Sequence, residues 1–326
     1  MRLGVLGTMV WDRIYARDGR ARPVEEWGGI AYALAAAAAA RPPAWTILPI
    51  VKVGRDLEEA AFRFLRQLPG LELDAVCTVP APNNRVELRY MDRDRRCEQL
   101  TGGVPAFTHE EIAPALASLD ALYINFISGF EIDLATAQAI RATFTGPIYA
   151  DLHSLFLGID ATGLRSPRPL VEWREWLRCF DVVQVNEIEM ASLSHAWGDS
   201  FRFAAEVVGE APRVLFITLG ARGAAYVASG HAAGLPLEWH RAGLVRGWPV
   251  VADAPVRSGR IEPDQGEREG DPTGCGDVWG TTCFFRLLAG ATLESAVRAA
   301  NEAAARNVEH RGATGLHHHL QGRLAS

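Results

Sequence analysis

Glu269-Gly-Asp271-Pro272-Thr273-Gly274-Cys275-Gly276-Asp277-Val-Trp279 sets small, flexible residues ahead of an acid, and a long apolar segment follows. The pattern predicts a loop that turns into a helix. Gly274 and Gly276 let the backbone come close to a ligand, and the N–H groups of the helix's first turn point back at the loop. Such a nest suits an anion, phosphate above all. An acid at the mouth of an anion hole repels phosphate unless it has chemistry to do, and taking a proton from an attacking hydroxyl is such chemistry. Asp277 is thus a candidate general base, with the backbone N–H groups of Gly274, Cys275 and Gly276 as candidate donors to a moving phosphate. The bland alternative is a glycine loop whose Asp favours the helix N-terminus. Residue types alone leave both open.

The stretch resembles the C-terminal signature of the ribokinase (PfkB-type) carbohydrate kinases, Asp-Thr-x-Gly-x-Gly-Asp or a close variant. Pro272 stands in place of the first threonine and Cys275 where alanine is usual. Further landmarks follow in the family's order and cover almost the whole chain. Gly7 to Asp12 is similar to the first strand ending in the aspartate that holds substrate hydroxyls, and Gly28-Gly29 to the diglycine before the first core helix. Val53-Gly54-Arg55-Asp56 resembles the Val-Gly-x-Asp turn. Asn186-Glu-Ile-Glu189 resembles the Asn-x-x-Glu motif near metal and phosphates, and Thr218-Leu-Gly220-Ala-Arg-Gly223 the nucleotide-side turn.

The resemblance implies an ATP-dependent kinase that moves the γ-phosphoryl group to a hydroxyl of a sugar or sugar-like molecule. A kinase for a nucleoside or hydroxymethyl-heterocycle and a catalytically silent sugar-binding regulator are the alternatives. Implied roles are Asp12, Gly28 and Gly29 at the acceptor, and Asn186, Thr218, Gly220, Gly223 and Thr273 at the nucleotide. Asn301 falls where the family brushes the adenine, beside Gly312-Ala313. Mg2+ would arrive with ATP, keep several waters and be positioned by Glu189 with Asn186. By themselves, Asn186 and Glu189 equally suit a helix N-cap with an acid in the first turn. A monovalent cation is a further candidate cofactor, and a homodimer stays open.

At the acceptor end the chain departs from its relatives. Sugar kinases of this type commonly carry an asparagine a few residues after the diglycine, whereas here the run is Gly28-Gly29-Ile30-Ala31-Tyr32-Ala33. Trp11, Tyr32, Asn84, Arg89, Asn125 and Phe126 are candidates for a pocket with aromatic walls, suited to a ring-bearing acceptor. Packing in the core is the default for such aromatics. Asp151-Leu-His153 lies at the end of an expected strand, where α/β sheets bind ligands, with its role open. Cys275, at a helix N-terminus, is expected to have a lowered thiol pKa and a reactive thiolate.

Composition sets the bounds. A chain of 326 residues with 48% hydrophobic content is long enough for one large α/β unit, 1–326. A net charge of −6 with interspersed signs argues against nucleic acid as a partner. Lys52 is the single lysine among 33 basic residues, so a Walker-type phosphate loop with its own lysine is absent. Five cysteines without Cys-x-x-Cys spacing suit a reducing cytoplasm. The apolar start at Arg2 is too short for a signal-peptide core, and no segment reaches the ~20 apolar residues of a membrane span. His317, His318 and His319 are expected in a solvated tail, since consecutive residues cannot all face one ion from a helix.

Short apolar runs at 3–6, 45–51, 121–124, 147–150, 182–185 and 214–217 predict buried strands. Helical patterns at 30–40, 57–68, 109–118, 134–143, 171–179, 201–208 and 293–309 stand among them. Such alternation implies a mainly parallel sheet between two helix layers. Segments 12–27 and 84–100 alternate polar and apolar residues as half-exposed strands do. In the resembled family these places carry a small β lid; a plain surface hairpin fits the pattern as well. The stretch 253–270 has no periodicity and is expected to be a mobile loop leading to the anion hole.

Overall fold

A computed structural model describes residues 1–15, 23–90, 96–232, 235–239, 255–264 and 268–322. Nine strands form one sheet in the order β15-β14-β13-β12-β9-β8-β1-β4-β5. They are β1 (Arg2–Leu6), β4 (Thr46–Gly54), β5 (Val76–Val79), β8 (Ala121–Asn125), β9 (Ile148–Asp151), β12 (Val182–Asn186), β13 (Val214–Thr218), β14 (Ala224–Ala228) and β15 (Arg257–Ile261). From β13 to β5 every neighbouring pair is parallel, whereas β14 and β15 are antiparallel additions at one edge. Burial on both faces explains why the parallel strands are unbroken apolar runs such as Val214-Leu-Phe-Ile.

Helices cover both faces. On one side lie α1 (Ile30–Ala40), α2 (Glu58–Leu65), α8 (Cys275–Leu288), α9 (Leu293–Val308) and α10 (Leu316–Leu320), sharing a core with Tyr123, Tyr149 and Phe216 of the sheet. On the other lie α3 (His109–Leu116), α4 (Leu134–Thr143), α5 (Trp173–Leu177), α6 (Glu187–Leu193) and α7 (Ser200–Glu210), packed on Leu6, Ile124, Val183 and Leu215. The starts of these helices are written in side chains. Thr108 with Glu111 and Asn186 with Glu189 close capping boxes, and Asp133, Asp199 and Thr292 accept first-turn N–H groups. The three layers match the expected α/β sandwich.

A second sheet, ordered β3-β2-β6-β7, comprises β2 (Met9–Tyr15), β3 (Val24–Gly29), β6 (Arg85–Tyr90) and β7 (Arg96–Thr101). Its inner face carries Val10, Ile14, Val86, Leu88 and Leu100. Its outer face is ionic, with Arg13 on Glu25 at 2.7 Å and Arg89 on Glu87 at 2.9 Å. A hairpin, β10 (Leu157–Ile159) with β11 (Arg165–Pro167), docks on β7, where Leu100 N–H donates to the Gly163 carbonyl at 2.8 Å.

Two expectations need correction. The stretch 253–270 is not all loop, because its Arg257–Ile261 part pairs with β14 and completes the sheet edge. Its polar residues hid that strand, since an edge strand need be apolar on one face only. The histidine run is not a solvated tail: it forms α10, with Leu316 and His317 buried against α1 and α9. The His317 and His318 rings lie close together at a tilt, and His319 bonds the Arg306 carbonyl. Within the segments 12–27 and 84–100, residues 16–22 and 91–95 lie outside the described residues. Among the described residues no helix is long and apolar enough to cross a membrane.

Buried polarity also ties the layers. Asp181, 1% exposed, accepts from Arg141 Nη1 at 2.9 Å and from Ile148 N at 2.8 Å, fixing α4 to the start of β9. Asp181→Ala should lower the unfolding free energy by about 3 kcal/mol, because it strands a cation and a buried N–H together. Urea unfolding checks this; a loss below about 1 kcal/mol, the range of surface pairs, would contradict it.

Candidate active site

Strand order reverses between β1 and β8, and the crevice beyond their C-terminal ends is where an open α/β sheet takes ligands. Here it is a cleft of about 460 Å³. One wall is the inner face of the second sheet, through Val10, Val86 and Leu88; the floor carries Asp12, Asp151, Asp277 and the loop 272–276.

The loop and helix form as the sequence predicts. Gly274 caps α8 in the left-handed region, φ 77°, and a Cβ there would stand 2.3 Å from the Tyr32 ring. Asp271 Oδ1 accepts from Thr273 N at 2.9 Å and Oγ1 at 2.6 Å, which folds the turn before the glycines. Asp277 stands in the first turn of α8, where Asn125 Nδ2 donates to its Oδ1 at 2.7 Å. Of the three expected backbone donors, Cys275 N–H is engaged inside the loop, on the Pro272 carbonyl at 3.2 Å.

The expectation for the Cys275 thiol is overturned. Its Sγ turns to α9, donating to the Ala304 carbonyl at 3.4 Å and accepting from Asn307 Nδ2 at 3.3 Å. Burial pushes the thiol up to about 11, with the Asp277 and Asp271 charges adding to the shift and the Asn307 amide opposing it. Desolvation dominates because the sulfur is buried against α9.

At one end of the cleft Asp12 is buried on β2, and a Cβ at Gly28 would fall 1.7 Å from its Oδ2. The first glycine of the pair thus makes room for the carboxylate; the second, Gly29 at φ 59°, turns the chain into α1. The aromatic-walled pocket does not form. Tyr32 borders the cleft, but Trp11 packs edge-on against Trp27 and Phe126 against Trp176. Asn84 is buried and accepts from Val104 N, Arg89 lies over Tyr15 at 4.0 Å, and neither borders the cleft.

At the other end Asn186, Glu189, Thr218 and Gly220 line the cleft together. Glu189, buried, takes Asn186 N at 2.7 Å, Asn186 Nδ2 at 2.6 Å and His153 Nδ1 at 2.6 Å. Burial would lower the His153 pKa, but the Glu189 bond and the Asp151 charge prevail and raise it to about 9. Asp151 goes the opposite way from an ordinary carboxylate: burial, then Glu189 and Asp277, raise it to about 8. Its oxygens accept from Gln184 Nε2 at 2.9 Å and His153 N at 3.2 Å. Gly223 and Asn301 stand outside the cleft lining. A Cβ on Gly223 would meet the Ile261 carbonyl at 2.1 Å, while Asn301 joins that carbonyl (3.1 Å) to Trp279 Nε1 (2.8 Å).

Among the described residues no group of three or more His, Cys, Asp or Glu could hold a metal ion. The isolated, hydrogen-bonded Glu189 suits an ion carried in by a phosphate ligand and touched through water, not one caged by protein. Sequence reading missed Gln184, Glu98 and Arg165 as cleft residues; Arg165 sits on the hairpin, with Nη2 on the Ile127 and Ser128 carbonyls and Nη1 3.3 Å from Glu98. No local signal marks an arginine whose partners are backbone carbonyls 37 and 38 residues away.

Solved structures with this arrangement decide the architecture. A pyrophosphate-dependent kinase in the ribokinase family superposes with a TM-score of 0.72 at 18% identity, covering 96% of both chains. Ribokinase from Thermotoga maritima gives 0.70 at 17% identity over 98% of each chain. A Burkholderia thailandensis nucleoside kinase, in complex with inosine, gives 0.67 at 17% identity over 96% of this chain and 92% of its own. The chain has the ribokinase fold. A scan against protein-family models and a search of curated proteins return no match. In this ribokinase-fold chain the nine-stranded sheet supplies the floor of the cleft and the four-stranded sheet its cover.

Two measurements test the electrostatics. With its thiol raised to about 11, Cys275 should be alkylated by iodoacetamide at pH 8 at least ~10-fold more slowly than exposed Cys77, read by peptide mass spectrometry. Equal rates would restore the reactive-thiolate picture. Asp151 holds its proton more tightly folded than unfolded, so the native state binds more protons between the ordinary carboxylate range and about 8, and stability falls as pH rises through that window. Asp151→Asn should flatten the decline of Tm between pH 4 and 8; an unchanged slope would show that Asp151 is ionised throughout.

Proposed function

We propose that the chain is a kinase of the ribokinase family that transfers the γ-phosphoryl group of ATP to a hydroxyl of a sugar or sugar-like acceptor. The observation that carries this reading is one cleft holding a buried acid, Asp12, and a second acid, Asp277, at the glycine-capped start of α8. Asp12 accepts acceptor hydroxyls and fixes the attacking oxygen. Asp277 takes the proton as that oxygen bonds to phosphorus, and the bond from phosphorus to the bridging oxygen breaks, leaving ADP. The N–H groups and dipole at the start of α8 stabilise the charge on the moving group. Mg2+, bound with the nucleotide, would neutralise phosphate charge, with Asn186 and Glu189 nearest to its waters. Thr218 and Gly220 border the nucleotide. Five free cysteines fit a cytoplasmic setting.

A second acceptor class has its own support. Val10, Val86, Leu88 and Ile127 make the wall above Asp12 aliphatic, which suits an acceptor with an apolar ring face, a nucleoside or hydroxymethyl-heterocycle, better than a sugar with hydroxyls on every side. The four-stranded sheet acts as the lid in both readings.

The test is turnover against a panel of sugars, nucleosides and hydroxymethyl-heterocycles, following ADP from ATP and, in parallel, phosphate from pyrophosphate. With an acceptor found, Asp277→Asn should lose at least ~10²-fold in kcat while Mg-ATP binds as tightly as to wild type. Turnover within a few-fold of wild type would remove Asp277 as the base, and binding without turnover by wild type would favour a silent regulator.

A further inference from the structure

Asn125 ends β8 in register with Asp151, the last residue of β9. It is fully buried and does not border the cleft, so an acceptor in the cleft does not touch it. Its amide meets the Asp277 carboxylate across 152 residues of chain at 2.7 Å. Which way the amide faces follows from chemistry: a carboxylate accepts only, so the NH2 must point to Asp277. The other end, Oδ1, is buried without a hydrogen-bond partner. A buried amide with half its capacity unmet is a poor device for stability, since unpaired buried polar groups are unfavourable and an aliphatic side chain of the same shape would avoid them. What such a residue gains for the molecule is direction, because one fixed donor pins one oxygen of an acid that chemistry needs in place.

Gln184, from β12, does the same for the loop. Its Nε2 donates to the Gly276 carbonyl at 3.1 Å and to Asp151 Oδ2 at 2.9 Å, and its Oε1 accepts from Tyr149 at 2.8 Å. Two parallel strands of the sheet therefore hold the first turn of α8 from beneath, β12 through Gln184 on its backbone and β8 through Asn125 on its acid, with β9 between them bracing Gln184. The two grips differ in what they touch. Gln184 borders the cleft, whereas Asn125 reaches it only through Asp277.

We infer that Asn125 is a positioning residue for Asp277, setting the direction from which that carboxylate meets the attacking hydroxyl, and is not an acceptor-binding residue. The inference rests on the kinase reading for its consequence in turnover, but not for the placement itself. It also predicts an unusual pairing of effects, because the residue serves geometry at the expense of an unpaired buried oxygen.

Asn125→Leu keeps the volume and removes both polar atoms. Its crystal structure should show the Asp277 carboxylate moved from the wild-type position by more than about 0.5 Å, the tolerance of a working site. Its Tm should equal or exceed that of wild type. With the acceptor found by the panel, kcat should fall at least ~10-fold while the acceptor dissociation constant, from calorimetry, changes less than two-fold. Asn125→Ser, short but able to donate through water, should recover part of the turnover. An unmoved Asp277, or a kcat within two-fold of wild type, would overturn the inference. A lowered Tm with proportional loss of all binding would make Asn125 a structural residue, and a selective loss of acceptor affinity would return it to acceptor binding. If wild type phosphorylates nothing in the panel, the kinase reading fails, and the crystal structure and Tm of Asn125→Leu still decide the placement.

Discussion

How near α8 can come to its neighbours governs the whole cleft. On one side stands α1, largely alanine and buried along most of its length, so that α8 packs on it with little between the two backbones. At its start Gly274 leaves the space that the Tyr32 ring fills. One turn and a half further, a Cβ at Gly280 would stand 2.1 Å from Gln184 Oε1 and 2.7 Å from the Tyr123 hydroxyl. Both positions exclude any side chain, and both seat the helix start where Asn125 and Gln184 can grip it. Gly274 and Gly280 therefore serve packing: without this close approach, Asp277 would leave the reach of β8.

Close packing gathers negative charge, and the fold keeps its acids in different states. Asp12, Asp151, Glu189 and Asp277 all border one cleft. Like charges in a poorly hydrated space cannot all stay ionised without partners. Asp151 answers by holding its proton up to about 8. Glu189 answers by gathering the Asn186 N–H, the Asn186 amide and the His153 ring. Asp277 receives the Asn125 amide. Acids set apart by their surroundings are the usual mark of divided labour in catalysis, and in the proposed kinase Asp277 would be the one that takes a proton.

Much of this could be read along the chain. The buried parallel strands announced themselves as apolar runs, and the loop before α8 by glycines placed ahead of an acid. Asp12, Gly29, Asn186, Glu189, Thr218, Gly220, Thr273 and Asp277 do converge on one cleft, as the ordered motifs implied. What was not legible depended on partners far away in sequence. Asn125 looked like an acceptor ligand because a polar residue at a strand end commonly is one, and only the packing of α8 shows whom it meets. Asn301 and Gly223 carry the expected residue types, yet their contacts are with β15, a strand hidden in a polar segment. Cys275 misled for a related reason: a helix terminus can be located from sequence, but the side on which a sulfur is buried cannot.

Among the described residues the cleft holds few cations, which bears on how a phosphate ligand would be held there. Lys52, the sole lysine, is occupied elsewhere, its Nζ 2.8 Å from Glu111 and 2.7 Å from the Ala106 carbonyl. Arg165 borders the cleft, but both its terminal nitrogens are held by Glu98, backbone carbonyls and Ser154. Against them stand the carboxylates of the floor. On the kinase reading, a polyanion entering this space would meet, among the described residues of the cleft, one firmly held arginine and the His153 ring, so helix N–H groups and a cation travelling with the phosphates would supply most of the attraction. Backbone donors do not discriminate between one phosphate ester and another. On that reading the N–H groups at the start of α8 would hold the transferred group, and the identity of the donor would be read further out, by the residues around Thr218 and Gly220.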